Sequence, residues 1–366
     1  MDDSLTLRVG IVGSQFVANL HAEGFAQVPD AEVVAVASPN REHAEAFAKT
    51  HGVSNVFADH REMLKLDGLD AITIACPNDL HAQVAIDAAA SGKHVICEKP
   101  MALNLEQCDR MIDACRKAGV LLLYAEELLF APKYVRAKTL ADEGALGRVY
   151  YVRQLECHDG PHADWFWDVE RSGGGVLMDM GCHSIAFARW VYGNAPIESV
   201  SAEIGTFVHG ERTRGEDHAI VTLRFGDERM AVAENSWARA GGVDDRAEIY
   251  GSDGLTVADL LRGSSLTTYS GAGYGYAVEK AETTQGWTFT MFEETWNYGF
   301  PQEMAHFAAC IQGREEPRST GEDGRAVLEA VIAAYASAGQ GRRITLPFAD
   351  AATYAKPIDA WVDTRR

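Results

Sequence analysis

The sequence predicts an α/β protein whose first third is built on a parallel sheet and whose remainder is built on a mainly antiparallel one. Three observations carry this. Short apolar runs alternate with helical stretches over 6–124, the spacing of βαβ units. From about residue 145 the rhythm changes to successive β-type runs separated by turn signals. Finally, the first apolar run ends in a glycine-bearing turn that opens directly into a helix.

Leu7-Arg8-Val9-Gly10-Ile11-Val12 reads as a buried strand, followed by a helix from about Phe16. A second strand is expected over 32–37 and a second helix over 41–51. Val56-Phe57 is a short third strand and 70–75 a fourth. Helix 81–91, strand 94–97, helix 105–118 and strand 120–124 complete the series. These strands are apolar throughout, as strands of a sheet covered on both faces must be. In the second part, β-type runs fall at 148–157, 197–208, 217–225, 229–238, 246–250 and 265–269, with turns such as Gly226-Asp227 and Gly251-Ser252-Asp253-Gly254 between them. Two helices, about 302–313 and 323–338, close the chain. The Gly/Tyr-rich stretch 269–276 reads as a surface loop.

Composition narrows the function classes. The chain has 366 residues, 47% hydrophobic and 23% charged, which excludes a disordered or collagen-like protein. Its formal net charge of −20 disfavours binding to nucleic acid or to anionic membranes. No apolar run reaches the ~20 residues of a spanning helix. Met1-Asp2-Asp3-Ser4 lacks the basic start of a secretory signal, and the seven cysteines include no CxxC pair. A cytoplasmic protein with reduced thiols is expected.

The chemistry-bearing motifs follow in order. Gly13-Ser14-Gln15-Phe16-Val17-Ala18 is a degraded form of the GxGxxG/A dinucleotide turn, with Gln15 in the middle glycine's place. The amides at such a helix start hold an anion. The second strand ends at Ser38, without the acid that binds a ribose hydroxyl of NAD, and Arg41 follows. The cofactor is therefore NAD or NADP. Cys76-Pro77-Asn78, with His81 one turn on, ends the fourth strand, and Glu98-Lys99-Pro100 ends the fifth. In a doubly wound sheet these are the ligand ends. Farther on stands Gly173-Gly174-Gly175, followed by Asp179 and His183. Four residues apart at a helix start, these two share a face. A histidine with a carboxylate neighbour suits proton transfer. The triple glycine signals close approach of the backbone to another group.

Taken together, the degraded glycine turn, Pro77-Asn78, Glu98-Lys99-Pro100 and the 173–183 run resemble the Gfo/Idh/MocA family, the glucose–fructose oxidoreductase and inositol dehydrogenase-like enzymes, over about 6–345. The resemblance implies an N-terminal Rossmann domain, 1–127, and a C-terminal α/β domain with a large open, mainly antiparallel sheet, 128–366, for substrate binding and oligomerisation. It places the family's catalytic lysine on Lys99 and its aspartate and histidine on Asp179 and His183. Trp167-Asp168 matches the tryptophan segment before the glycine run. Where the family often reads Asn-x-Arg-Phe-x-Pro, this chain has 127–132, with Glu127 in the asparagine place and Leu129 in the arginine place. The departure puts inherited substrate contacts in doubt.

The expected activity is hydride transfer between a secondary hydroxyl of a sugar, glycoside or polyol and nicotinamide. His183 would be the base, Lys99 the stabiliser of the alkoxide and Asp179 the orienting group. Expected cofactor contacts are Gly13, Ser14, Gln15, Phe16, Val17, Ser38, Arg41, Cys76, Pro77, Asn78, His81, Glu98 and Lys99. Expected substrate contacts are Lys99, Glu127, His158, His162, Trp165, Trp167, Asp179 and His183, with Trp287, Trp296 and Tyr298 as further aromatics. His158 and His162 have a His-x3-His spacing but no supporting ligand pattern, and no metal is expected. A homodimer or homotetramer through the second sheet's uncovered face is expected. Two alternatives stay open: a redox glycosidase that oxidises, eliminates, hydrates and reduces, drawing on His158, His162, Asp164 and Glu127, and a non-catalytic cofactor sensor.

Overall fold

The computed structural model describes residues 6–260, 265–270, 285–291 and 294–362. The chain forms two compact units. One comprises 1–130 together with 299–328, the other 131–298 together with 329–366. A single break near 127 does not anticipate the return of 299–328 to the first unit.

In the first unit, β1 (Leu7–Val12), β2 (Ala31–Ala37), β3 (Asn55–Phe57), β4 (Ala71–Ile74), β5 (His94–Glu98) and β6 (Leu122–Ala125) form one sheet in the order β3-β2-β1-β4-β5-β6. All neighbours are parallel. The order reverses between β1 and β4, so a crevice opens at the carboxyl ends of these strands. Every residue of β4 is buried, as the unbroken apolar run foretold. Helices Arg41–His51 and Leu105–Ala118 show how the sequence sets boundaries. Asn40 and Asn104 cap their first turns by accepting from His43 N and Gln107 N, and Gly52 and Gly119 end them in the left-handed conformation. Helix Phe16–Phe25 differs, because Gln15 at its start makes no side-chain cap. The returning segment lays helix Phe300–Ile311 against helix Phe16–Phe25. Behind it, Ser319 O accepts from Tyr124 N at 3.2 Å.

The second unit holds β7 (Val149–Cys157), β8 (Ile197–Gly205), β9 (His218–Phe225), β10 (Met230–Ser236), β11 (Asp244–Gly251) and β12 (Leu255–Asp259). A separate hairpin pairs β13 (Ser265–Ser270) with β14 (Gly286–Met291), and β15 (Ile344–Thr345) is short. The large sheet runs β12-β11-β7-β10-β9-β8-β15. It is antiparallel except between β7 and β10. The strand expected at 265–269 exists but pairs outside the main sheet. Helices Pro132–Asp142 and Cys182–Val191 pack against the sheet. Alternation is clean along β9, where Ala219, Val221, Leu223 and Phe225 are buried while Ile220, 42% exposed, points the other way. The uncovered face is less apolar than expected. Arg153 bridges Glu234 at 2.7 Å and Glu248 at 3.9 Å there, beside the Tyr151–Tyr250 ring pair. Residues 1–5, 271–276 of the Gly/Tyr-rich stretch, and the Trp287 side chain lie outside the described residues. No helix among the described residues is long and apolar enough to cross a membrane. All seven cysteines are free, and all but Cys76 are buried.

Candidate active site

On the first unit, the β1 turn is built for close approach. Gly13 has φ +126°, and a Cβ there would overlap the Ala75 carbonyl at the end of β4. Ala18, in the third motif position, is fully buried. Ser14 Oγ donates to Ser38 Oγ at 3.0 Å, tying the β1 turn to the end of β2. Gln15 is exposed, its amide 3.3 Å from His43 Nδ1. The Arg41 side chain is 87% exposed and pairs with Glu45 at 2.7 Å, so it opens its helix in solvent. Cys76 and Pro77 are half-buried and Asn78 is buried at the end of β4. His81 is buried. Its Nε2 lies 2.8 Å from Cys76 O and its Nδ1 3.0 Å from Pro100 O, which ties the ends of β4 and β5 together. Burial lowers its affinity for a proton.

The β5 end is held by a buried chain of polar groups. Thr73 Oγ1 lies 2.6 Å from His21 Nδ1, and His21 Nε2 lies 2.8 Å from Glu98 Oε1. An ionised carboxylate only accepts, so Nε2 carries the proton of that bond. Lys99 N donates to Glu98 Oε2 at 3.0 Å. Burial opposes ionisation of Glu98, but the bond from His21 and the charges of His21 and Lys99 prevail and hold its carboxyl below the usual range. Glu98 thus holds the backbone at Lys99, while Lys99 itself is half-buried.

Nearby carboxyls behave oppositely. Burial pushes Glu126 up to about 8, and Glu98 adds to this. Glu303, fully buried, accepts from Glu126 N at 2.7 Å, and burial beside Glu127 and Glu98 drives it well above the usual range. Glu127 is itself buried.

On the second unit, the glycine run feeds a π-helix, Leu177–Gly181, continued by helix Cys182–Val191. The two elements carry Asp179 and His183, both buried. Trp237, wholly buried at the end of β10, donates its indole Nε1–H to Asp179 Oδ2 at 3.1 Å. One residue on from His183, Ser184 Oγ accepts from Asn235 Nδ2 at 3.0 Å and also bonds Gln154, which pins the helix to β10 and β7.

The aromatic residues expected to meet substrate lie on this unit as follows. Trp165 and Trp167 lie on the short 3-10 turn Asp164–Trp167, with Trp165 stacked on Phe166. Trp167 meets Trp237 edge-on at 5.3 Å, His209 at 5.0 Å and the Arg212 guanidinium at 4.1 Å. His158 is buried and His162 exposed, with ring centroids 5.5 Å apart. Asp164 is fully exposed. Trp296 is 50% exposed.

Comparison with known proteins now decides the family. Residues 7–126 match the oxidoreductase family model with an NAD-binding Rossmann fold, and 134–257 match the Gfo/Idh/MocA C-terminal domain. The chain belongs to the Gfo/Idh/MocA family of oxidoreductases. It is 27% identical to the myo-inositol 2-dehydrogenase of Thermotoga maritima over 93% of this chain and 98% of that one. It is 30% identical to the levoglucosan dehydrogenase of Pseudarthrobacter phenanthrenivorans over 71% of this chain and 75% of that one. Among solved structures, GenD2 from gentamicin A biosynthesis, in complex with NAD, is 30% identical and superimposes with a TM-score of 0.88, covering 93% of this chain and 96% of that chain.

The dinucleotide of a Gfo/Idh/MocA oxidoreductase fits the first unit on two grounds. The Gly13 cradle would be filled by a Cβ, and the helix behind it begins without a side-chain cap from Gln15, the kind of helix start that binds an anion. Sequence reasoning missed His21, Thr73 and Glu303 on the first unit, and Trp237, Glu216 and Tyr335 on the second. None of the six carries a local signal, since each is marked only by partners brought to it from elsewhere in the chain.

Proposed function

We propose that the protein is a cytosolic NAD(P)-dependent dehydrogenase acting on a secondary hydroxyl of a sugar, glycoside or polyol. Lys99, Asp179 and His183 are its reacting side chains. The observation that carries this reading is the Asp179–His183 pair, two buried ionisable groups on consecutive helical elements with the Asp179 carboxylate held by an indole N–H. Relatives named for myo-inositol and levoglucosan support the substrate class. In this reading His183 takes the hydroxyl proton and Asp179 keeps the imidazole oriented for it. The Lys99 ammonium stabilises the negative charge that develops on the substrate oxygen. The Glu98 carboxylate, steadied by His21, fixes the backbone from which Lys99 extends. Bound nicotinamide supplies the hydride acceptor. Gly13, Ser14, Phe16 and Val17 line the dinucleotide's approach, and His158, Trp165 and Trp167 the sugar's.

A panel of polyols, aldoses and glycosides, read by nicotinamide absorbance with NAD and NADP separately, tests the activity. Lys99→Ala and His183→Ala should each lower turnover by about a hundred- to ten-thousandfold while cofactor still binds. Near-normal turnover in either variant removes that residue from the mechanism. The assembly belongs to the same reading: a homo-oligomer formed through the uncovered face of the seven-stranded sheet. A monomeric mass by light scattering at micromolar concentration would overturn it.

A further inference from the structure

The glycine run is explained by one dipeptide far away in sequence. Glu216 and Asp217, just before β9, are both fully buried. Glu216 Oε1 accepts from Leu177 N at 2.8 Å and from the Tyr335 hydroxyl at 2.8 Å, and its Oε2 accepts from Gly175 N at 3.2 Å. The backbone oxygen of Glu216 accepts from Val176 N at 2.9 Å. Three successive amides at the start of the π-helix therefore end on one residue. A Cβ at Gly175 would overlap the Glu216 backbone, and one at Gly174 would overlap the Tyr335 hydroxyl. Gly174 and Gly175 serve this contact, while Gly173, at φ +88°, ends the short helix before them.

Asp217 grips the other side. Its backbone oxygen accepts from Trp237 N at 2.8 Å. Its carboxylate accepts from the backbone N–H groups of Phe207, Val208 and His209 at 2.8, 2.7 and 2.8 Å. A carboxylate holding three amides is a rigid anchor. Trp237, so fixed, is the residue whose indole holds Asp179.

We propose that Glu216 and Asp217 form a positioning element for Asp179, Glu216 fixing the π-helix that carries it and Asp217 fixing the tryptophan that holds its carboxylate. The proposal rests on the reading of Asp179 and His183 as reacting groups and names what sets their geometry. Two clamps from adjacent residues act on both partners of the Asp179–Trp237 bond, so disturbing Glu216 shifts that bond without touching the dinucleotide turn at Gly13.

The test uses full-length protein labelled with 5-fluorotryptophan, with the Trp237 fluorine line assigned through Trp237→Phe. Glu216→Gln keeps the volume but sets an amide N–H against one of the donors it now accepts. Tyr335→Phe removes a single hydroxyl and serves if the first variant does not fold. Expected is a displaced or broadened Trp237 line with the other tryptophan lines in place. Turnover should fall about ten- to a hundredfold with the KM for cofactor unchanged, since small misplacements of a reacting group have effects of that size. A folded variant with a lowered melting temperature but an unmoved Trp237 line and full turnover overturns the proposal. If Asp179→Asn keeps full turnover while Glu216→Gln still moves the Trp237 line, the clamp stands and the catalytic reading of Asp179 fails instead.

Discussion

The two units hold their candidate site residues at the ends of secondary elements with supports of different kinds. On the first unit the parts lie at successive strand ends, and the motif itself contains them. Gly13 meets Ala75, Glu98 holds Lys99 N, and His81 spans the ends of β4 and β5. On the second unit the supports lie outside the motif. Gly175 rests on Glu216 and Tyr335, 41 and 160 residues away, and Asp179 on Trp237, 58 residues away. The buried carboxyls differ in parallel. Glu98 faces an imidazole and an ammonium and stays ionised, whereas Glu216 faces only amides and a hydroxyl, and burial raises it to about 7. Partner charge, not depth, decides which buried acid keeps its proton.

The comparison can be broken most sharply at Gly13. Gly13→Val puts a branched side chain against the Ala75 carbonyl at a left-handed φ, and cofactor affinity measured by fluorescence titration should fall at least about a hundredfold. Next in size is His21→Leu. It strands the Glu98 carboxylate in the interior, and urea unfolding should show a loss of about 3 to 5 kcal/mol. An unchanged midpoint would mean that Glu98 finds another partner.

A third prediction separates the two kinds of carboxyl by pH. The folded-state value of Glu216 is raised from 4.5 to about 7, so the native state binds its proton more tightly than the unfolded chain. Its contribution is fully present below about 4.5 and is lost as pH rises to about 7. Glu98, lowered, works the other way, contributing above the ordinary carboxylate range and losing that contribution as pH falls. Glu216→Gln should therefore flatten the stability profile between about 4.5 and 7 while leaving the acid limb intact. A profile identical to that of the parent protein would contradict the raised value. Tyr335, the titratable group bonded to Glu216, stays protonated throughout, since burial and Glu216 both raise it. The smallest effect is expected at Glu303. Glu303→Gln keeps a neutral side chain and an oxygen for Glu126 N, so the unfolding free energy should change by less than about 1 kcal/mol.

What the sequence revealed follows from whether a support belongs to the motif it serves. All six strands of the first sheet and the four longer helices between them could be read from periodicity, because buried parallel strands are unbroken apolar runs and caps such as Asn40 and Gly52 are local. The motif residues could be read because a dinucleotide turn and a strand-end lysine are short strings. His21 could not, since a histidine inside an amphipathic helix looks like any half-buried residue until Thr73 and Glu98 are brought beside it. Glu98 and His81 read as ligand contacts because they sit at strand ends, and their buried contacts with His21, Cys76 and Pro100 carry no signal of their own. Glu216 and Trp237 carry no spacing rule at all, because their partners are set by sheet register. The triple glycine did signal close approach, but not to what. The pairing of β13 with β14 away from the main sheet was equally hidden, since a strand's pattern does not name its neighbour.

The return of 299–328 to the first unit bears on how the chain is made. When the first 130 residues leave the ribosome, Glu126 N has no acceptor from Glu303, 177 residues ahead, and Tyr124 N none from Ser319. The apolar side of helix Phe16–Phe25, later covered by Phe300 and Met304, meets solvent meanwhile. The dinucleotide-holding unit is thus started first and finished only once residues 299–328 emerge, so a translation product halted before them would carry the Gly13 turn without the packing that steadies the helix behind it.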